Sequence, residues 1–373
     1  MALILNEEQI MLQDAARNYL RESAPVSHLR QLRDQGSIEG FSRELWRDMA
    51  DMGWTAILVP EEFGGLAYGY TGLGIVLEEC GRTLAPSPLL ATALTGVTAL
   101  TLAGSKQQQA ELLPAVAAGS HLLALACDES ARHRPAQVAS TAESVDQGYL
   151  LQGSKTAVVD GHIADTLIVN ARTSGGISLF LVPADSAGVT IERYPVLDTH
   201  AAARVIFDSV KLPAGSLLGE LDEGQDLLDR VLDAARTGAA AEMLGIAQEA
   251  FARTVDYLKQ RKQFGVPIGS FQALQHRAAH LYAEIELCKS VVLKALQTLD
   301  EDPLDAAEAA SLAKAKLCET AHLATTEAIQ MHGGIGMTDD FDIGFFLKRC
   351  KILEHLYGDR YFHQDRFARL QGY

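Results

Sequence analysis

The sequence predicts an α+β protein in three parts: a helical N-terminal domain (residues 1–118), a middle antiparallel β-barrel or sandwich (119–222), and a C-terminal four-helix bundle (223–373). Three observations carry this reading. Up to about Ala118 apolar residues recur at steps of three and four, the spacing of amphipathic helices. From His121 the chain turns into short β-rich runs separated by turn residues. From Asp226 the helical spacing returns, and in its second half the apolar stripe is almost pure alanine.

The first domain begins with Asn6-Glu7-Glu8-Gln9, an Asn cap with acids in the first turn and Gln three residues on. Leu12, Ala16, Tyr19 and Leu20 give that helix one apolar face. A second helix fits Phe41 to Met52 and stops at Gly53. Trp54 to Val59 reads as a buried extended segment, ending in the turn Pro60-Glu61-Glu62-Phe63-Gly64-Gly65. Helices are expected over Gly72 to Arg82 and Pro88 to Leu102, with Leu77, Leu84, Leu90, Leu94 and Val97 as core.

In the middle domain the expected strands are Gly148–Leu151, Ala157–Val159, Thr166–Val169, Ile177–Val182, Val189–Ile191 and Arg204–Phe207. Gly153, Gly161, Gly175-Gly176, Gly188 and Pro195 separate them as turn residues. The last domain opens with Leu244, Ala247, Phe251, Val255 and Leu258 on one helical face. Ala306, Ala310, Ala313, Leu317, Ala321, Ala324 and Ala328 continue at the same spacing. Such small residues let helices approach closely, as in a bundle.

Composition narrows the function classes. A net charge of −16 over 373 residues argues against nucleic acid and against anionic membranes. Any polyanionic ligand must then be met by a local basic pocket. No apolar run approaches the roughly 20 residues of a membrane span, and the N-terminus lacks the pattern of a signal peptide. The five cysteines show no C-x-x-C spacing, which points to reduced structural thiols and a cytoplasmic protein. His276, His280, His322 and His332 show no metal-ligand spacing, so no metal site is expected.

The stretch Arg261 to Gln275, RKQFGVPIGSFQALQ, is the chemical centre of the reading. Gly265, Pro267 and Gly269 break a long helical pattern. Arg261 therefore stands at a helix end, and Ser270 can cap the next helix. A guanidinium, a helix N-terminus and the amides of Gln272 and Gln275 can form a phosphate cradle. A solvated helical hairpin is the plainer reading of the same residues.

This pattern, R-x-x-F-G-x-P-I-x-x-F-Q-x-x-Q, resembles a signature of the acyl-CoA dehydrogenases. A second stretch, Gln330-Met331-His332-Gly333-Gly334-Ile335-Gly336, resembles that family's Q-x-x-G-G-x-G. The resemblance spans nearly the whole chain and implies the same three-domain fold, with FAD as cofactor. It implies that Arg261 and Gln272 contact the FAD pyrophosphate of a neighbouring subunit, with Phe264 beside the flavin. It implies that Gln330, Gly333 and Gly334 pack on the FAD of the adjoining subunit. A homo- or hetero-oligomer, dimer or tetramer, follows from such shared sites. The implied substrate is an acyl-CoA, of a fatty acid or a steroid side chain, and the implied electron acceptor is an electron-transfer flavoprotein.

Two segments depart from the family pattern. The family's T-E-P-x-x-G-S-D appears here as Ala126-Cys127-Asp128-Glu129-Ser130-Ala131-Arg132-His133, with the Glu kept and the Gly-Ser-Asp end lost. The family's K-x-W-I-T-N-G appears as Lys155 to Gly161. Its Trp and Thr, which lie over the flavin in the family, become Ala157 and Val159, and Val158 between them is a cofactor-binding candidate. These departures resemble the small-subunit type of two-gene dehydrogenases such as pimeloyl-CoA dehydrogenase. For Arg132, His133 and Arg134 a solvated loop and a phosphate or flavin role both stand.

Removing a proton α to a thioester needs a base, polarising donors and a hydride acceptor. The family's base is the Glu of Y-E-G-T; Lys351-Ile352 and Gly358 set the register, which puts Tyr357 at that position. A phenol of ordinary pKa near 10 is a poor base. The other family location for the Glu is Ala235 here. Asp359, two residues past the usual site, and Glu242 are the carboxylate candidates, Glu242 being either a pocket acid or a helix-surface charge. Arg236 lies on the helix that lines the acyl pocket in the family. It is a substrate-binding candidate or half of an ion pair, with Glu242, Asp359 or the cofactor as partner. Three functions follow: an FAD-dependent dehydrogenase forming the trans-2-enoyl-CoA, a catalytically eroded subunit completing its partner's FAD site, or an oxygen-using oxidase on the same fold.

Overall fold

The computed structural model describes residues 3–301 and 306–373. Helix α1 (Glu7–Ser23) starts as expected. The Asn6 side chain accepts from the Gln9 amide, and Gln9 returns the bond to the Asn6 amide, so two orphan donors are satisfied. Ala16 and Leu20 are buried on its inner face. Helix α2 (Val26–Asp34) follows, then α3 (Arg43–Asp51), capped by Ser42 and buried through Leu45, Trp46 and Met49. Trp54 to Val59 is buried but not extended. It coils through a single turn at Trp54–Ala56, because the backbone of Ala56, Ile57 and Val59 accepts bonds from Leu66, Tyr68 and Ala67. Helix α4 (Gly69–Thr83) comes next. A wide π-turn over Leu89–Gly96 then runs into α5 (Val97–Ala103), and α6 (Lys106–Ala117) closes the segment. Leu77, Leu84, Leu90, Leu94 and Val97 are core, as their spacing predicts.

The middle region is a mixed sheet. Its strands are β1 (Leu123–Ala126), β2 (Thr141–Val145), β3 (Gly148–Val159), β4 (Thr166–Arg172), β5 (Ile177–Pro183), β6 (Val189–Pro195), β7 (Ala201–Pro213) and β8 (Leu217–Leu218). The order is β6-β7-β3-β2-β4-β5-β8, with β1 lying parallel to β4. β2 also meets β4 in parallel, at Thr141 and Arg172, and the other pairings are antiparallel. Leu151, Val169, Phe180, Val205 and Phe207 fill the core. Two of the expected strands are one: Gly153 does not turn the chain but sits at a bulge in β3, at φ +140. A second register shift lies between Lys155 and Val158.

Beyond the sheet come α7 (Gly224–Gln260), the hairpin β9 (Lys262–Gln263) and β10 (Val266–Pro267), then α8 (Gln272–Glu301), α9 (Ala306–His332), α10 (Ile343–His355) and α11 (Arg360–Leu370). Every residue of the Ala306–Ala328 stripe is buried. The chain divides into two compact units: one of Met1–Asp34, Gly74–Ala85 and Arg236–Tyr373, the other of Gln35–Leu73 and Pro86–Ala235. Within the first, α4 and α7 cross backbone to backbone: a Cβ at Gly245 would lie 1.8 Å from the Glu78 carbonyl oxygen.

Candidate active site

The hairpin that follows α7 is built by its turn. Phe264 and Gly265 both take positive φ (+54 and +83), the geometry of a tight two-residue connection. The Ile268 amide donates to the Arg261 carbonyl across it (2.8 Å). Phe264 is 91% exposed at the tip, and Arg261 and Gln272 are exposed as well. Ser270 does not cap α8. It lies in a short turn before the helix, and its hydroxyl donates to the Pro267 carbonyl (2.7 Å). Gln275 is likewise tied to the turn, through the Gly269 carbonyl (2.9 Å).

The second motif sits at the end of α9. Gln330 is exposed, and Gly333 and Gly334 open a short turn where an added Cβ would meet no atom within 4 Å. That leaves a flat, accessible backbone face. The two motifs share a support. The Tyr257 ring, one turn before Arg261, stacks on His332 (4.3 Å between centroids), and its hydroxyl donates to the His332 carbonyl (3.2 Å). Burial holds the His332 pKa below the ordinary value, so the ring is neutral and its Nδ1–H serves the Ala328 carbonyl (2.6 Å). Arg30 and Arg33 of α2 fasten the loop that follows: Arg33 binds Asp339, and Arg30 binds Asp342 at 2.9 Å. Arg33 holds the Asp339 carboxyl down at about 2.

Tyr357 lies in the turn between α10 and α11, buried and at φ +59. Arg236 is wholly buried, and its Nε donates to the Tyr357 carbonyl (3.2 Å), which also accepts from His363 Nε2 (3.1 Å). The Arg236 guanidinium also lies over the Phe362 ring. Asp359 is the N-cap of α11, accepting from the Phe362 amide (2.9 Å). Glu242 is not a surface charge. It is buried and chelated by Arg349, at 2.6 and 3.0 Å. Arg236 therefore does not hold the role of Glu242's bidentate partner.

Arg349, Lys314 and His363 escaped the sequence reading. The usable signal was a charge at core spacing: Arg349 between Phe346 and Leu353, and Lys314 between Ala310 and Leu317 on the alanine stripe. Burial pushes the Lys314 pKa below the lysine range. Burial, together with Lys314 and Arg236, pushes that of His363 far down.

In the other compact unit, the altered Ala126–His133 segment is anchored by its acids, while Ser130, Ala131 and Arg132 are exposed. Glu129 accepts from the Ala139 and Ser140 amides, the Ser140 hydroxyl and Lys155 Nζ (2.7 Å), and Lys155 also donates to Asn170 (2.6 Å). Burial pushes the Glu129 carboxyl up, but the Lys155 and Ser140 bonds outweigh it and hold it at about 2. His133 is bound to Asp128 at 2.8 Å. Arg134 is exposed and, with Arg172, lines a cleft of about 980 Å³ that also contains Glu129, Thr173 and Asp222. The Val158 side chain is buried in the sheet core, which leaves only its backbone to meet a ligand. Among the described residues no cluster of three or more His, Cys, Asp or Glu could hold a metal, and no helix is long and apolar enough to cross a membrane.

Family models described as acyl-CoA dehydrogenase N-terminal, middle and C-terminal domains match residues 6–120, 124–210 and 222–369. A Bacillus subtilis (strain 168) protein named acyl-CoA dehydrogenase is 30% identical over 362 residues, 94% of each chain. The caffeyl-CoA reductase-Etf complex subunit CarC of Acetobacterium woodii is 28% identical, again over 94% of each. A chain of the ChsE4-ChsE5 complex from Mycobacterium tuberculosis superposes with a TM-score of 0.91 at 26% identity, covering 100% of this chain and 99% of that one.

Proposed function

The chain belongs to the acyl-CoA dehydrogenase family of FAD-dependent flavoproteins, and from that membership we propose that it serves the oxidation of an acyl-CoA to the trans-2-enoyl-CoA, with electrons leaving through an electron-transfer flavoprotein. The observation that carries the proposal is the pair of exposed, jointly supported turns. Arg261 and Gln272 flank one, and Gly333 and Gly334 form the other. Both present polar or bare backbone surface outward, where a second subunit would be met. The residues fit FAD: the Arg261 guanidinium and the Gln272 amide for the pyrophosphate, Phe264 beside the flavin, and Gln330, Gly333 and Gly334 against the cofactor of the adjoining copy. Bound there, FAD supplies the hydride acceptor. CarC's name ties that relative to an Etf complex, which supports the electron-transfer partner.

Asp359 leads the candidates for the base, followed by Glu242 and Tyr357. The engagement of both acids favours a second reading, in which this chain completes the FAD site of a hetero-oligomer whose other subunit supplies the base. Glu242 is chelated by Arg349, and Asp359 caps a helix. The ChsE4-ChsE5 relative is named as a complex of two different proteins. The test is anaerobic bleaching of the bound flavin by a series of acyl-CoAs, on the chain alone and with a co-expressed neighbouring-gene product. Bleaching by the chain alone supports the first reading. Bleaching only with the second chain supports the other, and a chain that binds no FAD in either state overturns both.

A further inference from the structure

We propose that Lys314 is a positioning residue: its buried ammonium holds the Leu356–Asp359 turn and thereby the left-handed backbone from which side chain 357 projects. Lys314 Nζ donates to the Gly358 carbonyl (2.9 Å), the Glu354 carbonyl (3.2 Å) and Cys318 Sγ (3.4 Å). Three protons thus meet three acceptors. Glu354 lies in the last turn of α10, where helix carbonyls lack internal partners and a cation is favoured. The ammonium bridges that helix end to the turn beyond it.

The turn needs such a hold. Tyr357 stands at φ +59, a conformation that a bulky residue keeps only when its surroundings over-determine it. Gly358 follows at φ +109, and a Cβ there would lie 2.5 Å from the Phe362 ring. Arg236 and His363 bind the Tyr357 carbonyl, and Lys314 binds the next carbonyl along. Position 314 falls on the alanine stripe of α9, where an apolar residue would pack without the desolvation cost of a charge. No carboxylate oxygen takes part in its hydrogen bonds, so the charge serves backbone carbonyls. The functional weight of this rests on the proposed acyl-CoA site, because that reading puts residue 357 where the family's base stands.

The test is a double-mutant cycle on the full-length, flavin-free chain, with Lys314→Met, Tyr357→Gly and the pair, read as thermal midpoint. Glycine adopts the left-handed conformation without strain, so the midpoint loss from Lys314→Met should at least halve in the Tyr357→Gly background. In FAD-loaded protein, the flavin absorbance change on adding octanoyl-CoA should be lost in Lys314→Met, and an undiminished response there overturns the proposal. Equal midpoint losses in both backgrounds overturn the proposal. If Lys314→Met does not fold, folding of the pair supports it, and failure of both overturns it. Wild-type protein that takes up no FAD would sink the proposed function while leaving the midpoint cycle readable.

Discussion

At the residue scale the proposed phosphate cradle rests on Arg261. Among the described residues no carboxylate pairs with it, so its guanidinium is available to an anion. Hydrogen bonds to charged groups are worth about 1.5–3 kcal/mol. Arg261→Ala should therefore weaken FAD retention by about tenfold or more, measured by flavin released on dialysis; full retention would remove Arg261 from the cradle. Asp359 allows a clean test of charge. Asn caps a helix as well as Asp does, so Asp359→Asn keeps α11 while removing the carboxylate. If Asp359 is the base, turnover with a suitable acyl-CoA collapses at unchanged thermal midpoint. Unchanged turnover assigns Asp359 to the cap alone. Glu242→Gln behaves differently, because it removes the carboxylate that chelates the buried Arg349, and a broken buried pair costs about 3–5 kcal/mol.

Acid stability belongs to the same scale. The Glu129 carboxyl is held at about 2, below its ordinary 4.5. A depressed carboxyl contributes stability that is present above 4.5 and lost as pH falls through about 2. Glu129→Gln should flatten the fall in thermal midpoint across that window. An unchanged slope would mean that the Lys155–Asn170 network does not depend on the charge.

At the element scale, much of the fold was legible because local signals and tertiary packing agree. The Asn6–Gln9 box, the helix stop at Gly53 and the alanine stripe of α9 each appear where the sequence places them. Three features were hidden. Gly153 looks like a turn residue, yet only the pairing of β3 with β7 reveals a bulge. Trp54 to Val59 looks like a strand, yet its backbone partners lie in the chain just beyond it. Ser270 looks like a cap, and its hydroxyl turns back to Pro267 instead. Of the candidate site, the sequence marks the two turns that the structure exposes, but the pairing of Glu242 with Arg349 depends on how α7 meets α10, which no local pattern encodes. The same packing predicts contrasting glycine variants. Gly245→Ala drives a Cβ against the Glu78 carbonyl, and overpacking of that kind costs about 1–3 kcal/mol. Gly344→Ala, in α10, meets nothing within 4 Å and should be neutral or stabilising. Calorimetric midpoints that fall equally in both would contradict the backbone-to-backbone crossing of α4 and α7.

At the scale of the whole molecule, a chain with a large negative charge carries its proposed cofactor contacts on two exposed turns, with Phe264, Ile335 and Met337 beside them at 91%, 42% and 78% exposure. Apolar side chains displayed around polar cofactor contacts are expected where a second subunit covers them. We propose that FAD is held between copies or partners rather than within one chain. The most direct measurement is size-exclusion chromatography of the FAD-loaded protein, with mass determined by light scattering and flavin content by absorbance. Flavin should elute only with a dimer or larger assembly, and Arg261→Ala should lower the flavin content of that assembly. A stable monomer saturated with FAD would contradict it.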